Sequence, residues 1–301
     1  MATQHGANRS AAAVAADVLS LVLASGLLAL AGPASAQEAR PNRIKIEYVP
    51  PTEPRQQDLY NLLKERRALE KLQEIFSPFR LANDVTIRTK TCGMSNAWYQ
   101  RPTVTLCYEY LEDIQKSMPK EPTPAGLTPA DVVIGQFFYV AGHEMGHAFF
   151  DQLNVPLFGA PEDSADRFSA YMMLLLGKQE AWRLIGGAAY SYKDYIANPK
   201  VVVPTTAFAS AHGAPMQRFY TLLCIAYGAD QTGYVDLVDK GYLPRDRANG
   251  CRIEYGELNF AFQQLIRPHI DPQIAKAVLQ EQWLPPQEGA PPSRASDLPP
   301  Q

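Results

Sequence analysis

The chain has 301 residues, with 28 Lys and Arg set against 31 Asp and Glu for a net charge of −3. A charge so close to zero, with no Lys/Arg cluster tracking along one face, excludes nucleic acid as a partner. Apolar residues make up 46% of the sequence, which excludes a disordered chain and suits one substantial core or two lobes sharing a cleft.

Arg9 precedes an apolar run from Ala11 to Gly32 that ends in Pro33-Ala34-Ser35-Ala36. A charged start, an apolar centre and a small-residue A-x-A end read as an export signal cleaved before Gln37. Asp17 and the glycines inside the run argue against a membrane anchor. No later segment is apolar for long enough to span a bilayer, so the mature chain is expected to be secreted or periplasmic with no membrane span. Export permits disulfides. There is no C-x-x-C, and pairing neighbours, Cys92 with Cys107 and Cys224 with Cys251, is the simplest of the three connectivities that four cysteines allow.

A polar lead comes after the signal. A helical pattern then runs from about Glu53 to Phe76, through Leu59, Leu62, Leu63, Leu69, Leu72 and Ile75. Val85 to Thr91 alternates and is rich in β-branched residues, which predicts a strand. Asn96 to Tyr99 and Thr103 to Tyr110 read as two more, joined through Gln100-Arg101-Pro102, so a small antiparallel sheet is expected first. Thr128-Pro129-Ala130-Asp131 opens a helix with a capping hydroxyl, a first-turn proline and an acid at the positive end of the dipole. That helix is expected to run to about Leu153, and Gly159-Ala160-Pro161 starts another through roughly Leu176. From Gln179 onward nearly all of the chain reads as helical, with loops at Pro204 and Gly213. From Leu284 to Gln301 the chain is Pro-rich and lacks core residues, which predicts a disordered tail.

His143-Glu144-Met145-Gly146-His147 carries the chemistry. Residues four apart lie on one face of a helix, so two imidazoles at this spacing can chelate one zinc ion with Glu144 beside them. The surrounding helix is apolar, from Val132 and Val133 to Phe149 and Phe150, and two His and a Glu there are costly to bury without a partner. A zinc ion makes water acidic enough to attack near neutral pH, and Glu144 can take its proton and pass it to a leaving amine. A catalytic zinc has three protein ligands. The third is expected from Glu162-Asp163-Ser164-Ala165-Asp166, where Glu162 and Asp166 share a face. One can bind metal while the other accepts a hydrogen bond from a ligand imidazole, and all three acids suit a helix N-terminus.

HExxH followed by an ExxxD helix resembles the thermolysin-like, or gluzincin, branch of the zincins. The resemblance implies that Glu162 is the third ligand and Asp166 the residue that orients a ligand His. Asn96-Ala97 resembles that branch's edge-strand pair, which binds substrate backbone. His212 to Arg218 is similar to the neprilysin-type segment in which a His and an Arg flank the zinc and stabilise the oxyanion. Its spacing differs by one residue on each side of Pro215, and no Asp stands two residues before the His. The start at Cys92-Gly93, the strand through Cys107-Tyr108-Glu109, HEMGH, the acidic helix and Cys251 to Tyr255 together resemble a bacterial family known as putative metallopeptidases, over most of the mature chain.

The expected fold is therefore α+β and zincin-like. A small N-terminal antiparallel sheet, the HExxH helix and a mainly helical C-terminal lobe form one domain over residues 37–283, with two lobes around a cleft. The expected activity is hydrolysis of peptide bonds in a peptide or protein substrate, with Zn2+ as cofactor. Two other readings remain at this point: an exported zinc-binding protein without hydrolysis, and an amidohydrolase acting on a non-peptide amide.

Overall fold

The computed structural model describes residues 42–198, 200 and 202–286. The export signal, and the tail beyond residue 286, lie outside the described residues.

The chain begins with β1 (Ile44–Tyr48), a 3-10 turn, α1 (Gln57–Glu65) and α2 (Ala68–Ile75). The single helix expected from Glu53 to Phe76 is thus two, and the break falls at Arg67, whose φ of 52° lies in the left-handed region. Next come β2 (Val85–Lys90), β3 (Ala97–Gln100), β4 (Thr103–Cys107) and α3 (Tyr108–Ser117). The strand expected to reach Tyr110 stops at Cys107, where the backbone turns into α3. The helical remainder comprises α4 (Pro129–Gln152), α5 (Pro161–Leu175), α6 (Lys178–Tyr190), α7 (Lys193–Ala197), α8 (Pro215–Ala229), α9 (Val235–Asp239), α10 (Arg245–Ala248), α11 (Cys251–Leu265) and α12 (Pro272–Gln280).

The architecture is α+β, but the sheet is not the antiparallel one expected. Its order is β1-β2-β4-β3, with β1 parallel to β2, β2 parallel to β4, and only β3 antiparallel to β4. The two-residue link at Arg101-Pro102 forces β3 and β4 to oppose each other. β2, however, does not pair with its successor. The chain passes to the edge for β3 and returns as β4 between the two, running the same way as β2. β1, read as a polar lead, reaches β2 through the α1–α2 crossover that a parallel pair requires.

One face of the sheet is buried. Val85 and Ile87 on β2, Val104 and Leu106 on β4 and Ile44 on β1 are fully covered, and they join Phe76, Phe138, Met145, Phe149 and Phe168 in one apolar cluster. α4 is therefore buried on several sides rather than along one stripe, as its apolar sequence requires. Its packing against α6 depends on glycine, since a Cβ on Gly135 falls 2.6 Å from the Leu184 carbonyl. On α5 the close approach is at Gly142, where a Cβ falls 2.5 Å from the Ser169 hydroxyl. α5 thus runs close beside α4, and Glu162 and Asp166 near its start come within side-chain reach of His143.

Both expected cysteine pairs form. Cys92–Cys107 ties the loop after β2 to the end of β4, and Cys224–Cys251 ties α8 to α11. Leu284, expected at the head of the tail, is instead buried in the core, and its N–H donates to Glu180 Oε1 at 3.0 Å. No helix among the described residues is long and apolar enough to cross a membrane.

Candidate metal centre

α4 opens with a capping box in which Thr128 Oγ1 accepts the Asp131 N–H at 3.1 Å and Asp131 Oδ2 accepts the Thr128 N–H at 2.9 Å. Four turns on, the helix presents His143, Glu144 and His147. α5 begins at Pro161, after Gly159 has turned the chain with φ 109°, and its first turn carries Glu162 and Asp163 with Asp166 behind them.

These elements converge on one point. His143 Nε2 lies 3.0 Å from Glu162 Oε2, His147 Nε2 lies 3.3 Å from the same oxygen, and the two Nε2 atoms are 3.2 Å apart. His212, on the loop before α8, brings its Nε2 to 2.9 Å from that oxygen. The His143 and His212 rings stack with centroids 5.7 Å apart.

Asp166 is 4% exposed and accepts from His143 Nδ1 at 2.7 Å. An ionised carboxylate can only accept, so Nδ1 of His143 carries a proton, and the neutral ring has its Nε2 lone pair directed at the cluster. Arg218 of α8 forks onto Asp166, with Nε to Oδ2 and Nη2 to Oδ1 both at 2.7 Å. Two donors of Arg218 are thereby engaged with Asp166 and not with a substrate, and its guanidinium sits 5.9 Å from the centre of the Tyr139 ring.

With only protein charges around it, this cluster is strongly polarised. Burial opposes charge on His143, but its bonds to Asp166 and Glu162 outweigh that and push it up to about 9. Burial pushes Glu144 up to about 7, with the Glu162 charge adding to the effect and His143 tempering it. The His143 bond, reinforced by the charges of His147 and His212, brings Glu162 down to about 2 against the effect of burial. Burial disfavours charge on Asp166 too, yet the bonds from Arg218 and His143 hold it well below the usual carboxylate range. His147 and His212 are lowered, chiefly by burial, which favours neutral rings with lone pairs free to bind a cation.

The donor set fits a zinc ion. Ligands about 2.0–2.1 Å from a tetrahedral zinc lie about 3.3 Å from one another. The 3.0, 3.2 and 3.3 Å separations among His143, His147 and Glu162 match that spacing. In the metal-free chain a proton shared between His143 Nε2 and Glu162 offsets the crowding of these acceptors, and a metal cation would take its place. The other grouping of potential ligands among the described residues, Cys92 and Cys107 with Glu109, is different in kind. Its sulfurs are bonded to each other, and Glu109 Oε1 accepts the N–H groups of Cys92 and Gly93.

The edge strand β3 lies alongside α4. Tyr99 Oη donates to Asp151 Oδ2 at 2.6 Å, and the Arg101 guanidinium pairs with the same carboxylate near the end of α4. The Asn96 carbonyl accepts from the Cys107 N–H of β4 at 3.2 Å. Main-chain groups alternate direction along an antiparallel pair, so those of Ala97 and Tyr99 face the open edge. Consistent with this, the Tyr99 N–H is near enough to the Glu144 carboxylate to lower it slightly. Of the expected Asn96-Ala97 pair, Ala97 offers its main chain to the edge, while Asn96 has only its exposed side chain to offer.

His143, Glu144, His147, Glu162, Asp166, His212 and Arg218 are therefore brought together. No sequence pattern marks Tyr99 or Tyr139 for a role, and only their neighbourhood in the fold reveals them. A search among curated proteins and solved structures finds no match. Residues 48–266, from the end of β1 to just past α11, match the sequence profile of a family described as "Putative metallopeptidase", and the stretch includes every residue of the cluster. The chain belongs to that metallopeptidase family.

Proposed function

We propose that this chain is an exported zinc peptidase of the thermolysin-like zincin type. Residues 37–283, with Leu284 and Pro285 packed onto them, act as one domain, with the cleft between the edge strand β3 and the start of α5. His143, His147 and Glu162 are the metal ligands, and Glu144 is the general base. The observation that carries this reading is the meeting of two imidazole nitrogens and one carboxylate oxygen at 3.0–3.3 Å, with an aspartate fixing the tautomer of one imidazole.

A zinc ion there supplies Lewis acidity to a substrate carbonyl and acidifies water. Glu144, a largely buried carboxylate between the two histidines, is placed to hold a proton transiently. It takes one from the attacking water and returns it to the departing amine. Asp166 keeps the His143 proton on Nδ1, and Arg218 keeps Asp166 ionised and aimed. The open edge of β3, through the main chain of Ala97 and the side chain of Asn96, aligns an extended peptide as an added strand. Two disulfides accord with an extracytoplasmic location.

Metal analysis of the purified protein, paired with digestion of a mixed peptide library, tests the reading. One zinc per chain, with cleavage that a chelator abolishes and zinc restores, is the expected result. A metal-replete, folded protein that leaves the whole library intact sinks the peptidase assignment.

A further inference from the structure

We infer that His212 is a fourth metal ligand that closes the centre in the resting chain, so that a substrate must displace it; this rests on the zinc reading above. The distance carries the argument. His212 Nε2 is 2.9 Å from Glu162 Oε2, beside 3.0 Å for His143 and 3.3 Å for His147. That separation approximates the spacing between two ligands of one small cation.

A group that only stabilised an oxyanion would stand elsewhere. It would lie about 2.7–3.1 Å beyond an oxygen that itself occupied the fourth position, and so farther from the ligand atoms. The His212 nitrogen instead lies directly against the Glu162 oxygen, at 2.9 Å. Its potential ligand atom also lies within 4.8 Å of that of His143.

The local chain lets this ligand leave. His143 and Glu162 belong to α4 and α5, with side chains 4% and 18% exposed, whereas His212 is 49% exposed on a loop. On its C-terminal side the chain is anchored, because Ala214 is buried and its N–H donates to Gln217 Oε1 at 3.0 Å. Between anchor and histidine stands Gly213, with φ 70°, a conformation other residues reach only under strain. On the other side, the His212 N–H meets Ser210 Oγ at 3.3 Å and most of residues 202–211 are exposed. The ring can therefore swing away about residue 213 while α8, with Arg218 on Asp166, stays in place. A closed four-ligand centre is the structural type and an open three-ligand centre the catalytic type. A ligand on a hinged loop converts one into the other.

The test compares wild type with His212→Ala, at an exposed loop position where circular dichroism checks that the fold is kept. Zinc affinity is measured against a competing chelator. Each protein is also loaded with Co2+ and its visible spectrum followed during titration with azide. If His212 is a ligand, the variant binds zinc at least about ten-fold more weakly. Its cobalt bands change and respond to azide, while the intense four-coordinate bands of wild type resist it. Equal zinc affinity with equal azide response overturns the inference. A fall in kcat alone alongside that result returns His212 to oxyanion stabilisation. Failure of both proteins to bind either metal is a distinct outcome, and it overturns the zinc reading together with this one.

Discussion

Two buried Asp–Arg pairs brace α4, and they differ in where their third partner leads. At the start of the helix, Arg183 of α6 reaches Asp131 Oδ1 at 2.7 Å, with side chains 4% and 0% exposed. Asp131 Oδ2 accepts the N–H and the hydroxyl of Thr128, and Arg183 donates onward to the Pro285 carbonyl. Those contacts end in the fold: a helix cap and the end of the described chain. Beside the middle of α4, Arg218 forks onto both oxygens of Asp166 where Arg183 meets Oδ1 of Asp131, and Asp166 passes its charge to His143, whose far nitrogen meets Glu162. Burial and a depressed carboxylate are common to both. Convergence of lone pairs on a single point is what distinguishes a site from a brace.

The sharpest test of that distinction removes function while leaving both pairs whole. Glu144→Gln should retain zinc and the melting temperature of wild type, yet lose roughly a hundred- to ten-thousand-fold in kcat. A variant that cleaves peptides at the wild-type rate would show that Glu144 is not the base.

Breaking the brace should do the reverse. Arg183→Met removes the Arg183 charge that faces the buried Asp131 carboxylate, at a cost of up to about 3–5 kcal/mol. Melting should move down by roughly 2–4 °C for each kcal/mol, while zinc affinity of the folded fraction is kept. Loss of zinc with unchanged melting would mean that the two pairs have been assigned the wrong way round.

The brace also has a pH signature. Burial works to raise Asp131, but the hydrogen bonds of Thr128 and the Arg183 charge outweigh it, so the folded carboxyl titrates below its unfolded value. Such a group contributes stability that is complete above the unfolded value of about 3.9 and is lost as pH falls towards the folded one. Melting curves in chelator should therefore steepen below about pH 4 for wild type and flatten for Asp131→Asn. Parallel acid limbs would remove Asp131 from the account.

Asp166→Asn should have a milder effect, on the metal alone. The amide can still accept from His143 Nδ1 but no longer carries the charge that raises its basicity. Zinc affinity should fall about ten- to a hundred-fold, as measured by competition with a chelator. An unchanged affinity would leave Asp166 a packing residue, like its counterpart at the helix start.

The two ends of this comparison were not equally legible in the sequence. HEMGH and the Glu162–Asp166 spacing could be read because four residues make one helical turn, so local geometry places each pair of side chains on one face. Neighbouring cysteines were legible for a similar reason, since short separations favour closure. The Asp131–Arg183 brace was not, because 52 residues separate its members and nothing local marks Arg183 as buried. The same holds for Arg218, expected at the oxyanion but engaged on Asp166, also 52 residues away. β1 was missed because its sequence, Ile-Lys-Ile-Glu-Tyr, is short, and its partner Val85 is reached only after two helices. The break at Arg67 carried no Gly or Pro to announce it. For Arg183, Arg218 and β1 the deciding contact is long-range, and a periodic pattern does not encode it.

The smallest expected effect is at Asp163, where proximity in sequence and participation in the site come apart. Asp163 neighbours Glu162 in the first turn of α5 and carries the same charge, so composition alone does not separate them. On a helix, however, adjacent residues point about 100° apart. Glu162 meets three imidazoles through one oxygen, whereas the side chain of Asp163 is exposed and has no hydrogen bond or ion pair among the described residues. What remains for Asp163 is the favourable field of the helix N-terminus, about 0.3–1 kcal/mol at an exposed position and screened by salt. Asp163→Ala should then lower melting slightly, less so at high ionic strength, and leave zinc content and kcat unchanged. Glu162→Ala, made in parallel, should lose the metal. If instead the Asp163 variant loses zinc and the Glu162 variant keeps it, the start of α5 is turned by one residue from the arrangement described, and the third ligand is Asp163.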